Sequence, residues 1–175
     1  MDKSLTEVLL YFVPAILAVG AMFLIIKRFL DRDKQARMLD MKREMHKDSL
    51  PLRLQAIERL VLFLERISPD SILTRVHRSG ISAGQLHSDL LVTIRAEFEH
   101  NLSQQIYVSE TAWQAVKNAK DEMTKLFNLA IGEVGAHASG VQFSSKIYDL
   151  MIQNDNYPHQ KALDVLKNEA RHLIG

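Results

Sequence analysis

VLLYFVPAILAVGAMFLII, residues Val8 to Ile26, is an uncharged run of nineteen residues, and its reading decides how the rest of the chain is organised. At helical rise it spans roughly 28 Å, close to the thickness of a bilayer's hydrocarbon core. The run predicts a transmembrane helix over Val8–Ile26. The chain then divides into a short extracytoplasmic head (residues 1–7), one span, and a long segment on a single side. A cleaved signal peptide is the competing reading, and it needs a basic start and an apolar stretch that ends at its cleavage site. Here Lys3 is offset by Asp2 and Glu7, and residues 22–26 carry the apolar run past Ala18 and Gly20. Those features favour the span. Pro14 and Gly20 are tolerated inside membrane helices.

The flanks set the expected orientation. Eight basic residues (Lys27, Arg28, Arg32, Lys34, Arg37, Lys42, Arg43 and Lys47) lie among four acids, giving residues 27–47 a net charge of +4. Basic residues close to a span stay cytoplasmic. The head is therefore predicted outside and the body in the cytosol. The basic cluster would face anionic headgroups. The expected partners are thus the lipid bilayer, through Val8–Ile26, and a protein or a second copy of the chain. Residues 27–47 lack Gly and Pro and predict a charged juxtamembrane helix. Asp48-Ser49-Leu50-Pro51 reads as a stop followed by a fresh helical start.

Residues 48–175 carry thirteen Lys or Arg against fifteen Asp or Glu, a net of −2, which argues against a nucleic-acid partner. The absence of cysteine excludes disulfides and thiolate metal sites. The patterning is helical throughout. Leu52, Ala56, Ile57, Leu60, Val61, Phe63, Leu64 and Ile67 cover nearly half of a helical wheel, which predicts a central helix touched by several neighbours. Ser82 with Gln85, and Ser139 with Gln142, match the capping-box pattern, and Ser109 precedes a third start. The helix after Ser82 is lined by Leu86, Leu90, Leu91, Ile94, Phe98 and Leu102, and the next by Trp113, Val116, Met123, Phe127, Ala130 and Val134. Val141, Ile147, Leu150 and Met151 mark a short helix, and Ala162, Leu163, Leu166, Ala170 and Leu173 a last one. No run alternates with period two. The expected fold is all-α: one transmembrane helix, a charged stalk (27–47), and a compact cytosolic domain of about five helices over residues 48–175.

Catalytic chemistry is hard to find. Two Glu-x-x-His motifs, Glu97/His100 and Glu169/His172, resemble half of a di-metal carboxylate site. On the wheel both carboxylates sit about 70° from the apolar centre and both imidazoles about 130° away, so the two histidines would point away from the core. A metal at Glu97, His100, Glu169 and His172 is therefore not expected, and no cofactor pattern is present. There is no nucleophile elbow and no phosphate loop.

The segment EFEHNLSQQIYVSETAWQAVKNAKDE (Glu97–Glu122) is similar to segments of uncharacterised single-span membrane proteins of bacteroidete bacteria. The similarity extends from PLRLQAIERLVLFLERISP through the C-terminal helix. The resemblance implies a bacterial inner membrane and assigns no residue a catalytic role.

Two functions fit these observations. The first is a membrane-anchored helical interaction domain, a scaffold or adaptor, with the polar NLSQQ (Asn101–Gln105) leading into an apolar joint, Ile106-Tyr107-Val108. The second is a membrane-tethered enzyme or ligand-binding domain, its site built from distant residues such as His77, His87 or His100. A large apolar pocket with convergent polar groups would favour the second.

Overall fold

The computed structural model describes the backbone of residues 2–154 and 157–175; the side chains of 1–16, 18, 35, 36, 39, 40, 42–48 and 154–156 lie outside the described residues. Six α-helices and one 3-10 turn are present among the described residues: α1 (Asp2–Ile67), α2 (Pro69–Val76), α3 (Ala83–Asn101), the 3-10 turn Leu102–Ile106, α4 (Glu110–Val134), α5 (Gly140–Asn154) and α6 (Pro158–Ile174). No strand occurs among them. The chain divides into two units, Met1–Ser49 and Leu50–Gly175.

The first unit requires a correction. Among the described residues no helix is long and apolar enough to cross a membrane, so the transmembrane helix expected over Val8–Ile26 is not supported. Lys27, Arg28, Asp31, Arg32, Asp33 and Lys34 follow that run at once. Residues 8–16 and 18 of the run, and the head at 1–7, fall where side chains lie outside the described residues. The membrane and single-pass assignments built on that span lose their support with it. The stalk carries an exposed i,i+4 pair, Arg37 Nε to Asp33 Oδ2 at 3.0 Å.

A second difference concerns Asp48-Ser49-Leu50-Pro51, where a stop and restart was expected. The helical assignment of α1 runs through it. Pro51 lacks an amide hydrogen and crowds the carbonyl four residues before it, but that loss is confined to a single turn.

In the second unit, the α1 residues Ala56, Ile57, Leu60, Phe63, Leu64 and Ile67 are all buried, so this stretch is a central helix as its broad apolar arc predicts. α4 lays Trp113, Val116, Ala119, Met123, Phe127 and Ala130 into the same core. Three aromatic rings link the helices. Phe63 and Phe98 are 5.8 Å apart, Phe98 stacks on Trp113 at 5.5 Å, and Lys120 Nζ sits 4.8 Å above Phe98.

Both capping boxes form. Ser82 Oγ accepts from Gln85 N, and the Gln85 side chain accepts from Ser82 N. Ser139 and Gln142 repeat the arrangement at 3.0 and 3.2 Å. The two helix starts are also stitched together: Ala83 N donates to Ala138 O, Gly84 N to Ala136 O, and Gly140 N to Ile81 O. Gly140 has to be small, because a Cβ there would meet Ile81 Cγ2 at 2.7 Å and Ile81 O at 3.0 Å. The face of α5 differs from the expected one. Val141 is exposed, and Phe143 is fully buried in its place. Val141 follows the glycine that seals this junction, so the inward direction begins one half-turn later. Ile72 and Leu73 are buried as well, so residues Pro69–Val76 form a packed helix, α2.

Candidate functional site

The two Glu-x-x-His motifs are not brought together. Glu97 is held between two arginines. Arg66 approaches its Oε1 at 2.6 and 2.8 Å, Arg75 Nη1 at 3.2 Å, and Arg75 Nη2 also donates to the Arg66 carbonyl at 2.6 Å. Burial pushes the Glu97 carboxyl up, but the hydrogen bonds and charges of Arg66 and Arg75 outweigh it and hold the group below the usual carboxylate range. The carboxylate thus ties α3 to α1 and α2. His100, one turn on, is exposed.

Glu169 performs a similar task elsewhere. Its Oε1 accepts from Ser109 N at 2.9 Å and its Oε2 from Ser109 Oγ at 2.5 Å. Arg53 Nη2 lies 3.4 Å from Oε1, while Arg53 Nε donates to the Tyr107 carbonyl at 3.2 Å. Ser109 Oγ in turn accepts from Ala112 N and caps α4. His172 is exposed. Among the described residues no three His, Asp or Glu side chains are grouped to hold a metal ion.

The histidines of the enzyme reading are dispersed. His77 ends α2. His87 Nε2 contacts Asn128 Oδ1 at 2.8 Å and sits edge-on to Phe143. His100 borders a groove with Arg59, Leu62 and Arg66. A histidine that the sequence reading passed over is buried instead. Among the described residues the His159 ring has no partner for Nδ1, and burial lowers its pKa against the opposing charges of Glu65 and Asp70. Asp70 itself accepts from the Tyr148 hydroxyl at 2.9 Å, and burial followed by that bond raises the Tyr148 pKa.

The Arg53–Glu169–Ser109 clasp has a consequence for the neighbouring turn. It fixes both the Tyr107 carbonyl and the Ser109 amide, so the joint between α3 and α4 is gripped from α1 and α6. On this gripped backbone Ile106 is 73% exposed, Leu102 39% and Tyr107 37%. Ten residues before Leu102 on α3, nearly three turns away, Val92 is 62% exposed. A groove of about 390 Å³ runs between α3 and α4, with Leu91, Phe98 and Leu102 along one wall and Lys120 and Asp121 on the other. A second groove of about 340 Å³ flanks α3 on its α1 side. The outer face of α3 is therefore a ridge between two depressions.

The residue pattern of nearly the whole chain, 3–173, fits one family. The chain belongs to DUF7935, a family of unknown function. No curated protein matches the chain, and no solved structure does. The assignment of roles to residues therefore rests on the geometry above: clamped carboxylates at Glu97 and Glu169, and an exposed apolar ridge running from Val92 to Ile106.

Proposed function

We propose that the Leu50–Gly175 unit is a protein-interaction module whose contact surface is the outer face of α3 and the 3-10 turn after it. One observation carries the reading. Ile106, the most exposed large apolar residue of that face, directly precedes Tyr107, whose carbonyl accepts from Arg53, and lies three residues before Ser109, whose amide donates to Glu169. A rigid apolar anchor loses little conformational entropy when a partner covers it, and this is the property of residues that dominate protein interfaces. The polar residues around the anchor, among them Gln105 and Glu99, form the wetter rim such contacts have. The two Glu-x-x-His motifs support the reading indirectly, because their carboxylates are committed to arginine and serine and so serve the scaffold.

The test is site-specific photocrosslinking in the native cell. A photoreactive residue replacing Ile106 is expected to yield a protein adduct of defined mass, whereas one replacing Val141, also well exposed on α5 at 63%, yields none. Equal yields at both positions, or no adduct at Ile106, would overturn the reading.

A further inference from the structure

The exposed residues of α3 are spaced as a pairing seam. Ser88, Val92, Arg95, Glu99 and Leu102 follow one another at intervals of four, three, four and three, and Ile106 adds another four within the 3-10 turn. At 100° per residue the first five fall inside an arc of about 80°. All are solvent-exposed. This is the alternation that places knobs along a helix–helix contact, yet the buried stripe of α3 (Leu86, Leu90, Ile94) already uses the opposite side.

The order of the seam is self-complementary. About a point level with Glu97, Val92 mirrors Leu102, Arg95 mirrors Glu99, and Ser88 mirrors Ile106. We infer that the α3 face docks on the α3 face of a second copy of this chain, antiparallel, about a two-fold axis level with Glu97. The inference rests on the interaction-module reading and names its partner. Charge decides the orientation. A parallel pair would set Arg95 against Arg95 and Glu99 against Glu99 of the other copy, whereas the antiparallel pair makes two opposite-charge contacts. Charge and hydropathy together decide the register as well. A shift by one heptad puts Arg95 and Glu99 opposite Ile106 and Leu102, or Val92 opposite Arg95. Only the centred register sets Val92 against Leu102 and Arg95 against Glu99, with Ile106 meeting the small Ser88 at either end. Neither Arg95 nor Glu99 is in an ion pair within the described residues, so both charges remain available. The grooves on either side of the ridge leave room for long side chains of the facing helix.

The chain has no cysteine, so engineered cysteines report contacts without background. In full-length protein, Val92→Cys mixed with Leu102→Cys is expected to give an oxidised dimer containing one chain of each kind. Val92→Cys alone should stay monomeric, because in this register its own partner lies about 15 Å away along the axis, beyond disulfide reach. Arg95→Glu or Glu99→Arg introduced in both mixed chains should slow crosslinking at least about tenfold at low salt, and the double reversal should restore it. Three results would overturn the inference: no dimer in the mixture, self-crosslinking of Val92→Cys as fast as the mixture, or no effect of the single reversals. If the mixture fails while Ile106 still captures a different protein in cells, the interaction reading stands and the two-fold pairing falls. If both fail, both fall.

Discussion

Glu169→Ala removes, in one step, the acceptor of two hydrogen bonds from Ser109 and the counter-charge of Arg53. The carboxylate is only 12% exposed, although Ser109 itself lies at the surface, so its bonds are partly shielded from water. A hydrogen bond to an ionised group contributes about 1.5–3 kcal/mol in good geometry. The Arg53 contact, at 3.4 Å with a guanidinium 34% exposed, adds no more than about 0.5 kcal/mol. Water reaches the Ser109 amide once the carboxylate is gone and recovers part of the loss. The expected net cost is about 2–3 kcal/mol, a fall in Tm of about 6–15 °C for a unit of this size. Thermal melts of full-length protein measure it. A double-mutant cycle then apportions it, with coupling between Glu169→Ala and Ser109→Ala of about 1–2 kcal/mol, several times that between Glu169→Ala and Arg53→Ala. The variant should also lose crosslinking from Ile106 beyond its loss of stability, since the turn is no longer gripped. A melt within about 1 °C of the wild type, or equal couplings for both partners, would refute the clasp.

Three further outcomes test other parts of the fold. His159 has its pKa lowered by burial, so the unfolded chain binds the proton more readily; stability should be complete above about pH 6.5, decline as pH falls below that, and level off below the folded-state value. Urea titrations at pH 7.5 and 5.5 should show this slope in the wild type and a smaller one in His159→Leu, and an unchanged slope would remove His159 as its source. Gly140→Ala should destabilise by roughly 1–3 kcal/mol, because the new methyl group meets Ile81 backbone as well as side chain; a neutral melt would mean that the α3–α5 junction yields more easily than its 2.7 Å approach implies. Leu60→Asp places a charge at a fully buried position of α1 and should cost several kcal/mol, with loss of cooperative unfolding by circular dichroism as the readout; wild-type melting would show that α1 is not central.

The helices, their caps and most of the core were legible because each is a local property. A capping box needs only a Ser and a Gln three residues apart, and both boxes formed where the pattern stands. The arc around Leu60 was wide enough to declare a buried helix with no knowledge of its neighbours. The apolar run at Val8–Ile26 shows the limit of the same logic. Length and hydropathy alone predicted a span, and among the described residues no helix meets that requirement. The carboxylates show a different limit. The wheel puts Glu97 and Glu169 about 70° from the apolar centre, but their partners, Arg66, Arg75, Arg53 and Ser109, lie at separations of 22 to 116 residues. Sequence spacing carries no information about such pairs. His159 was missed for the same reason: it follows Pro158 in what reads as a polar turn, and only tertiary packing buries it.

The seam on α3 was hidden by the rule that makes amphipathic reading work. That rule sorts a helix into an apolar face and a polar face and then stops asking about the polar one. The polar face of α3 holds Val92 and Leu102 among Arg95 and Glu99, a mixture whose average hydropathy is unremarkable. Its information lies in the order of the residues. Exposure values were needed to separate Val92, Arg95, Glu99 and Leu102 from Leu86, Leu90 and Ile94, which share the helix and nearly the same spacing. Once separated, the outer set obeys a constraint the inner set has no reason to meet, since a face buried in its own core need not be its own mirror image. Charge pairs alone at a surface contribute little, so Arg95 and Glu99 specify which way two copies face, while Val92, Leu102 and Ile106 supply the apolar area that holds them. Reversing the charges should therefore change geometry and register first, whereas Leu102→Asp should abolish the contact in either orientation. If instead Leu102→Asp leaves the mixed Ser88→Cys and Ile106→Cys crosslink unchanged, the apolar positions flanking the axis are not part of any interface.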